Sequence, residues 1–399
     1  MKLFTILTFF LVFSLNAQNL KEILGALKES KKVKVILEKT KSEIAQNEMS
    51  ASYEAPEFGL NVAQAEDSVE DGIEYSISFS QNISQPFSTS TKNKGVDFLS
   101  LALKEDAKYQ LHILEIEVAS RYHKTCVSKE MQNKARLLFI KQSDRYKQLQ
   151  KAYDLGEISK KNLLFNKLDL AKLKQSLKRY KRVYLIESLN LQETIDNLTI
   201  ADLSCDDLIP LSGDIKLVDV SKHSQLKKIA YQERSSKSFY ETYDATLQSI
   251  GYQIGYDQEL DTKRVSFGVS IPLGSLTSQK EKLKAHYLYM NSAYTTQKES
   301  AKKLITSTSN LFKLKVKALY DEYEMLRLNI LPLNAELVEL SKLAYSEGEG
   351  TIMEYLDATR SYSENILEML EVKKSYYEEL FELYKKADLE LGENYEEIN

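Results

Sequence analysis

Residues that could carry out covalent or metal chemistry are few in this sequence, and they form no recognisable set. The four histidines, His112, His123, His223 and His286, show no ligand spacing with one another or with the two cysteines. The sequence also contains no phosphate-binding loop and no nucleophile motif. We therefore predict a protein that is not an enzyme and that uses no metal and no cofactor.

The charge and the cysteine content exclude two further classes of protein. A formal net charge of -4 leaves no basic excess to neutralise phosphates, so we expect no nucleic-acid partner. The basic run from Lys160 to Arg182 is interpreted as a solvated helix face. Cys126 and Cys205 are too few for a disulfide framework, and we interpret them as incidental thiols.

Two carboxylates near residue 355 have spacings that suggest local structural roles. Thr351 and Glu354 have the spacing of a capping box, in which each side chain accepts a hydrogen bond from the backbone of the other. Arg360 follows Asp357 by about one helical turn, so these two side chains can form an ion pair on the helix surface.

The turn that precedes these carboxylates is one of a duplicated pair. Five of its residues repeat an earlier set at a separation of 192: Ala152, Tyr153, Gly156, Glu157 and Leu164 recur as Ala344, Tyr345, Gly348, Glu349 and Leu356. The glycines can take the left-handed conformation that ends a helix, and Ser159 and Thr351 can cap the next helix. Each segment is therefore predicted to be a tight helix–turn–helix.

Long helices should occupy most of the chain, because 399 residues contain only 13 glycines and 5 prolines. The stretch 92–155 has no proline and one glycine, and a helix of some 60 residues would extend roughly 90 Å. After each turn, apolar residues recur every seven positions, as in helices that pack along a seam. The positions are Leu163, Leu170, Leu177, Tyr184 and Leu191, then Tyr355, Tyr362, Met369, Tyr376 and Leu383.

Two windows alternate between apolar and polar residues with a period of two, which predicts β-hairpins. The apolar residues are Phe58, Leu60, Val62, Ile73, Tyr75, Ile77, Phe79 and Ile83 in the first window, and Ile250, Tyr252, Ile254, Tyr256, Val265, Phe267, Val269 and Ile271 in the second. Pro86 and Pro272 close the hairpins. Strands of about ten residues with one apolar and one serine-rich face are typical of membrane barrels, but four strands cannot close one.

The ends and the repeat define the predicted segments. The apolar run Leu3 to Leu15, followed by Asn16 and Ala17, predicts a signal peptide at 1–17. The first repeat is 18–210, with a hairpin at about 56–86 and long helices at about 92–155 and 159–200. The second is 211–399, with a hairpin at about 248–273 and long helices at about 275–347 and 352–391.

At this point the sequence resembles the TolC family of outer-membrane efflux channels. The resemblance rests on Val269 to Gly274 before a long helix, on Leu331 and Pro332 before the second turn, and on the residues after it: Tyr345, Gly348, Thr351, Leu356, Asp357 and Ala358. It implies a mainly α fold with a small β part, assembled as a homotrimer. A twelve-stranded β-barrel in the outer membrane would continue as a twelve-helix α-barrel into the periplasm. An equatorial region would contain the first helix, Leu20 to Glu48, and the segment Asp202 to Asp219.

The resemblance also implies passive conduction of substrates delivered by an inner-membrane, proton-driven pump through a periplasmic adaptor protein. The adaptor would dock on the turns, at Leu155, Gly156, Glu157, Ile158, Ser159, Glu347, Gly348, Glu349, Gly350 and Thr351. Tyr345, Glu354 and Asp357 would form a periplasmic gate with inward-facing acidic rings. Some family members hold this gate with an arginine where this chain has Gly350, and Asn162 stands where an aspartate sometimes occurs, so an identical latch is not expected.

The substrate and the exporting system stay open at the level of sequence. Ala55, Pro56, Glu57 and Phe58, together with the short chain, look more like the cation-efflux branch of the family than the drug-efflux branch. The same channel fold could serve a type I protein secretion system. A periplasmic coiled-coil scaffold that never enters the membrane would explain the seven-residue repeats, but it leaves the alternating hairpins without an apolar environment.

Overall fold

A computed structural model describes residues 18–52, 54–66, 71–84, 86–196, 203–244, 249–271 and 278–391. The predicted signal peptide, Tyr53, Asp202 and the stretch from Pro272 to Gly274 lie outside these residues. The described helices and strands are α1 (Leu20–Lys28), α2 (Lys31–Ala51), β1 (Glu57–Glu66), β2 (Asp71–Ser84), α3 (Pro86–Asp154), α4 (Lys160–Thr194), α5 (Ser224–Asp244), β3 (Ser249–Gln258), β4 (Lys263–Ser270), α6 (Ser278–Met325), α7 (Leu331–Glu347) and α8 (Ile352–Ala387).

The predicted order of elements is confirmed in both halves of the chain. In the first half, helix α2 is followed by strands β1 and β2 and then by the long helices α3 and α4. In the second half, helix α5 is followed by strands β3 and β4, then by α6 with α7, and then by α8. The structure differs at the first helix, which is two helices separated at Glu29 and Ser30. The serine side chain accepts a hydrogen bond from the backbone N–H of Val33 (3.3 Å), and serine in this role favours a new helix start over continuation.

The long helix predicted at 275–347 is interrupted by a π-helical segment, Leu326–Ile330. Pro332 follows this segment and explains it. Proline lacks a backbone N–H, and its ring would clash with the carbonyl of residue 328 in a regular α-helix. One wider turn relieves the clash without ending the helix. A pattern of apolar residues does not reveal such a turn, because the helix continues on both sides.

The chain forms two compact units, and each contains parts of both repeats. The first unit comprises residues 1–34, 111–218 and 307–399. Its largest buried side chains are aromatic: Tyr122, Tyr376, Tyr377, Phe381 and Tyr384. The second unit comprises residues 35–110 and 219–306 and contains the four strands. In the second unit, Phe239 packs so closely on Gly95 that a Cβ atom at Gly95 would lie 3.2 Å from the ring.

Among the described residues, no helix combines the length and the apolar character needed to cross a membrane.

Residues 203–212 of the first unit, here called the belt, connect the two repeats without helix or strand beyond a single bridge from Leu203 to Gln18. Side chains of α3 and α8 bind its backbone. From α3, the Tyr122 hydroxyl donates to Ser204 O (2.7 Å) and the Lys129 ammonium group donates to Leu203 O (2.9 Å). From α8, the Tyr377 hydroxyl donates to Ile209 O (2.7 Å) and the Tyr376 hydroxyl donates to Ser212 O (3.0 Å). The backbone N–H of Leu20 donates to Asp207 (3.2 Å), so the belt also contacts α1.

The interpretation of the two cysteines as incidental thiols is wrong. Cys126 on α3 and Cys205 in the belt form a disulfide, with Cα atoms 5.6 Å apart and a sequence separation of 79. The α3–α4 hairpin returns the chain to the level of Cys126, which brings these distant positions together. A count of cysteines carries no information about that return.

The side chain of His123 also hydrogen-bonds to the belt backbone, and burial holds it in its neutral form. Its Nε2 accepts a hydrogen bond from the backbone N–H of Ile209 (2.8 Å), so Nδ1 carries the proton and donates to Ala119 O (2.7 Å). The rings of Tyr377 and Phe381 lie 4.8 Å away, centroid to centroid. Burial lowers the pKa of His123 to about 4, against the opposing effect of the Ala119 carbonyl, and the positive charge of Lys373 adds to the lowering.

This depressed pKa predicts a loss of stability on acidification. Above pH 6.5 the histidine is neutral in both folded and unfolded chains and costs nothing. Between pH 6.5 and about 4 only the unfolded chain binds the proton, so the free energy of unfolding should fall by up to about 3 kcal/mol. His123→Gln should remove this part of the pH dependence in denaturant titrations. Replacing the exposed His286 by Gln should leave the pH dependence of the free energy of unfolding unchanged. If that free energy varied equally with pH in both variants, the pH dependence could not be assigned to His123.

Candidate functional site

The four strands form one antiparallel sheet in the order β1-β2-β3-β4. Residues that pair across strands share a face, and one such row contains Phe58, Phe79, Ile254 and Phe267. The next apolar row contains Leu60, Ile77, Tyr256 and Val265. This face is open: Phe58 is 69% exposed and Val265 is 77% exposed. The predicted pairing of the first hairpin is therefore confirmed, and the two hairpins join through β2 and β3.

The opposite face of the sheet carries small and polar residues. Its rows contain Gly59, Ser78, Gly255 and Ser266, then Glu57, Ser80, Gln253 and Gly268. The glycines permit a close approach of neighbouring side chains, since a Cβ atom at Gly255 would lie 2.6 Å from Ser266 Oγ. The sheet thus separates an apolar surface from a polar one. Among the described strands, β1 and β4 each have only one neighbour.

The two duplicated turns of the first unit have the same backbone structure. Gly156 and Gly348 take left-handed φ values of 79° and 77°. In each turn the next residue closes the helix end: Glu157 N–H donates to Ala152 O and Glu349 N–H donates to Ala344 O, both at 2.9 Å. The predicted helix–turn–helix is confirmed at both positions.

The two turns differ in how the following helix begins. Ser159 accepts from Asn162 N–H (3.3 Å), but Asn162 returns no hydrogen bond. Thr351 Oγ1 accepts from Glu354 N–H (3.3 Å), and Glu354 Oε2 accepts from Thr351 N–H (2.9 Å), which confirms the capping box. A Cβ atom at Gly350 would lie 2.9 Å from Ala344 Cβ and 3.3 Å from Glu354 Oε2, so a side chain there would crowd the box.

The residues predicted to dock an adaptor are mostly exposed. Leu155 is 75% exposed, and Glu157, Glu347 and Glu349 are also exposed. Ile158 is different, because its side chain is buried in a cluster with Leu149, Leu163, Ile352 and Leu356. This cluster joins the two turns, and any docking surface at the turns excludes the Ile158 side chain.

The residues predicted to form a gate are only partly brought together. Glu354 and Asp357 line one shallow groove of about 590 Å³ between α7 and α8, with Leu337, Leu340, Ser341, Ala344, Ala358 and Ser361. Tyr345 is exposed but does not line it. Asp357 Oδ1 accepts from Arg360 Nη2 at 2.7 Å, which confirms the predicted helix-surface pair. Both carboxylates therefore have local partners in the single chain.

A second cavity, of about 620 Å³, lies along α4 and α8 and was not predicted from the sequence. Charged side chains line it: Asp169, Lys172, Lys178, Arg179, Arg182, Arg360 and Glu364. Burial raises the pKa of Asp169, against the lowering effect of Arg360 and Lys172. Asp169 belongs to the basic run that we interpreted as a solvated face, and its partial burial shows that this face is not uniformly solvated.

The histidines make unrelated contacts, so no common site emerges from them. His112 Nε2 lies 3.8 Å from Asp388 Oδ1, His223 packs on Tyr109, and His286 packs on Tyr287. Within the ranges that the structure describes, no group of three or more histidine, cysteine or acidic side chains is placed to hold a metal ion.

Comparison with known proteins identifies the fold. No family model and no curated protein matches this chain. A membrane protein from Pseudomonas aeruginosa is similar in structure, with a TM-score of 0.78 and 13% identity over 92% of this chain and 90% of that one. CusC, solved in a study of transmembrane channel formation, has a TM-score of 0.74 and 12% identity, with 92% of this chain and 91% of CusC covered. The open outer-membrane channel MtrE of Neisseria gonorrhoeae has a TM-score of 0.73 and 16% identity, with 92% of this chain and 88% of MtrE covered. The chain thus has the fold of these membrane proteins.

The capping box makes a prediction about the start of α8. Thr351→Ala removes one cap hydrogen bond and should cost about 1 kcal/mol, so amide hydrogen exchange at residues 352–355 should accelerate about fivefold. Glu354→Gln keeps an acceptor at the same position and should change exchange much less. Equal acceleration in both variants would mean that the negative charge of Glu354 stabilises this turn as much as the Thr351 hydroxyl does.

Proposed function

We propose that this chain is the outer-membrane channel of a tripartite efflux system. The observation that carries the proposal is the sheet, whose apolar face is open while the other face is small and polar. In water such a face would drive aggregation, whereas in a bilayer it contacts lipid without cost. The fold shared with solved outer-membrane channels and the resemblance to the TolC family support the same conclusion.

The sheet requires further copies of the chain to span a membrane. Backbone groups at the edges of β1 and β4 have no partner strand among the described residues, and lipid offers them none. Two copies would supply eight strands, which enclose an interior about wide enough to be filled by side chains. Three copies would supply twelve and leave a lumen. We therefore propose a homotrimer with a twelve-stranded barrel whose lumen is lined by the polar face.

The helices would continue the conduit from the membrane into the periplasm as a twelve-helix α-barrel. The exposed turn residues Leu155, Glu157, Glu347 and Glu349 would then face a periplasmic adaptor, which links the channel to a proton-driven inner-membrane pump. Conduction would be passive, because substrate enters under the drive of the pump. A soluble scaffold is disfavoured by the open apolar face, since such a protein would have to cover it.

The sheet geometry gives a direct test with a matched control. Ile254 lies on the apolar face and its neighbour Gln253 lies on the polar face. A lysine facing lipid costs roughly 2–4 kcal/mol near the bilayer centre, and a trimer would contain three. Ile254→Lys should therefore lower the yield of detergent-extracted trimer from outer membranes by at least about tenfold, and Gln253→Lys should not.

The readout is cell fractionation followed by light scattering with detergent correction. A wild-type particle that is soluble without detergent, as monomer or dimer, would overturn the proposed function. Equal yields of the two lysine variants would overturn the orientation of the sheet in the barrel.

The gate assignment gives a separate prediction. Glu354→Gln with Asp357→Asn removes two carboxylates per chain, six per trimer, from the proposed opening. In planar bilayers under a salt gradient, the reversal potential should move toward zero because cation selectivity falls. Thr351→Ala disturbs the same turn but keeps both carboxylates, so it should retain the selectivity. An unchanged reversal potential in the double variant would remove Glu354 and Asp357 from the gate.

A further inference from the structure

The disulfide joins two sulfurs in unequal surroundings. Cys126 is 3% exposed, and the belt lies over it. Tyr122 and Lys129, one turn before and one turn after it on the same face of α3, bind the belt carbonyls of Ser204 and Leu203. Cys205 belongs to the belt itself and is only partly buried. A thiol–disulfide exchange reagent should therefore react at the Cys205 sulfur before the Cys126 sulfur.

A disulfide needs an oxidant, and the geometry restricts how the oxidant acts. Exchange requires a thiolate to attack a sulfur of the donor disulfide along the S–S axis, so the attacked or attacking sulfur must be open on one side. Cys205, which is partly buried, meets this requirement better than Cys126, which is buried. Because Cys126 and Cys205 are 79 positions apart in sequence, pairing of α3 with α4 brings the two sulfurs within reach of each other for the second step.

We propose that this chain is a substrate of a disulfide-donating thiol oxidoreductase outside the cytoplasm, with Cys205 as the entry thiol and Cys126 as the resolving thiol. The Cys205 thiolate attacks the donor disulfide, which forms a mixed disulfide and releases one donor thiolate. The Cys126 thiolate then attacks Cys205 Sγ and displaces the second donor thiolate. Two electrons pass to the donor, and the two protons lost by the cysteines go to the reduced donor thiols. The inference rests on the proposed function only for export from the cytoplasm, where glutathione would keep the thiols reduced.

The test uses the full-length chain in detergent, folded and fully reduced, with oxidised glutathione as the donor. Cys126→Ser should accumulate a glutathione adduct on Cys205, measured by intact mass after acid quenching. Cys205→Ser should form an adduct on Cys126 at least tenfold more slowly. The two variants form a matched pair, because both lack the native bond; hydrogen exchange checks that both remain folded. The double variant should form none.

A fourth variant tests directly whether the belt shields Cys126. Tyr122→Phe in the Cys205→Ser background removes one hydrogen bond that holds the belt, and should raise the rate of adduct formation at Cys126 severalfold. Equal adduct rates for the two single-serine variants, or no effect of loosening the belt, would overturn the assignment of entry and resolving thiols.

The oxidation state of the native chain separates this inference from the proposed function. Protein taken from cells with acid quenching and alkylated should contain the bond and no free thiol. A chain found in the outer membrane with two free thiols would overturn this inference alone, while a reduced chain found in the cytoplasm would overturn the proposed function.

Discussion

The pairing of backbone hydrogen bonds in the sheet is the constraint on which the remaining structure depends. Four strands with a row such as Phe58, Phe79, Ile254 and Phe267 open on one face cannot stand alone in water. In lipid they cannot stand with free edges either. A single copy of the sheet therefore exposes apolar side chains in water and unpaired backbone groups in lipid. A closed barrel of several copies would remove the second problem, because the edge strands of neighbouring copies would pair. The assembly proposed above would satisfy this need of the strand edges for partners.

The sequence predicted the elements well and the contacts between distant elements poorly. Alternation with a period of two located both hairpins because side-chain direction in a strand is a local property. Gly348, Thr351 and Glu354 likewise gave the turn and its cap within seven residues. The disulfide, the join between β2 and β3, and the burial of Ile158 depend on residues far apart in sequence. Local spacing carries no signal for such contacts, and the π-helical turn before Pro332 was missed because the apolar pattern continues through it.

The belt shows how an irregular segment can be fixed without secondary structure. Its backbone groups cannot pair with a neighbouring strand, so tyrosine, lysine and histidine side chains of α3 and α8 satisfy them instead. Each of these side chains has its polar tip in a buried or partly buried setting, where an unpaired group would cost free energy. The hydrogen bonds and the disulfide therefore depend on one another. They also tie α3 of the first repeat to α8 of the second.

The charge difference between the duplicated helices explains how two copies of one motif pack side by side. Between residues 160 and 182, α4 has nine lysines and arginines and one aspartate, whereas 352–374 of α8 has five acidic and three basic residues. Arg179 Nη2 lies 2.7 Å from Glu371 Oε1, and these two positions are 192 apart, the same as the repeat distance. Equivalent positions thus meet at the same level of two parallel helices, where identical charges would repel. Exposed ion pairs add little stability individually, so their main effect is to favour this alignment over a shifted one.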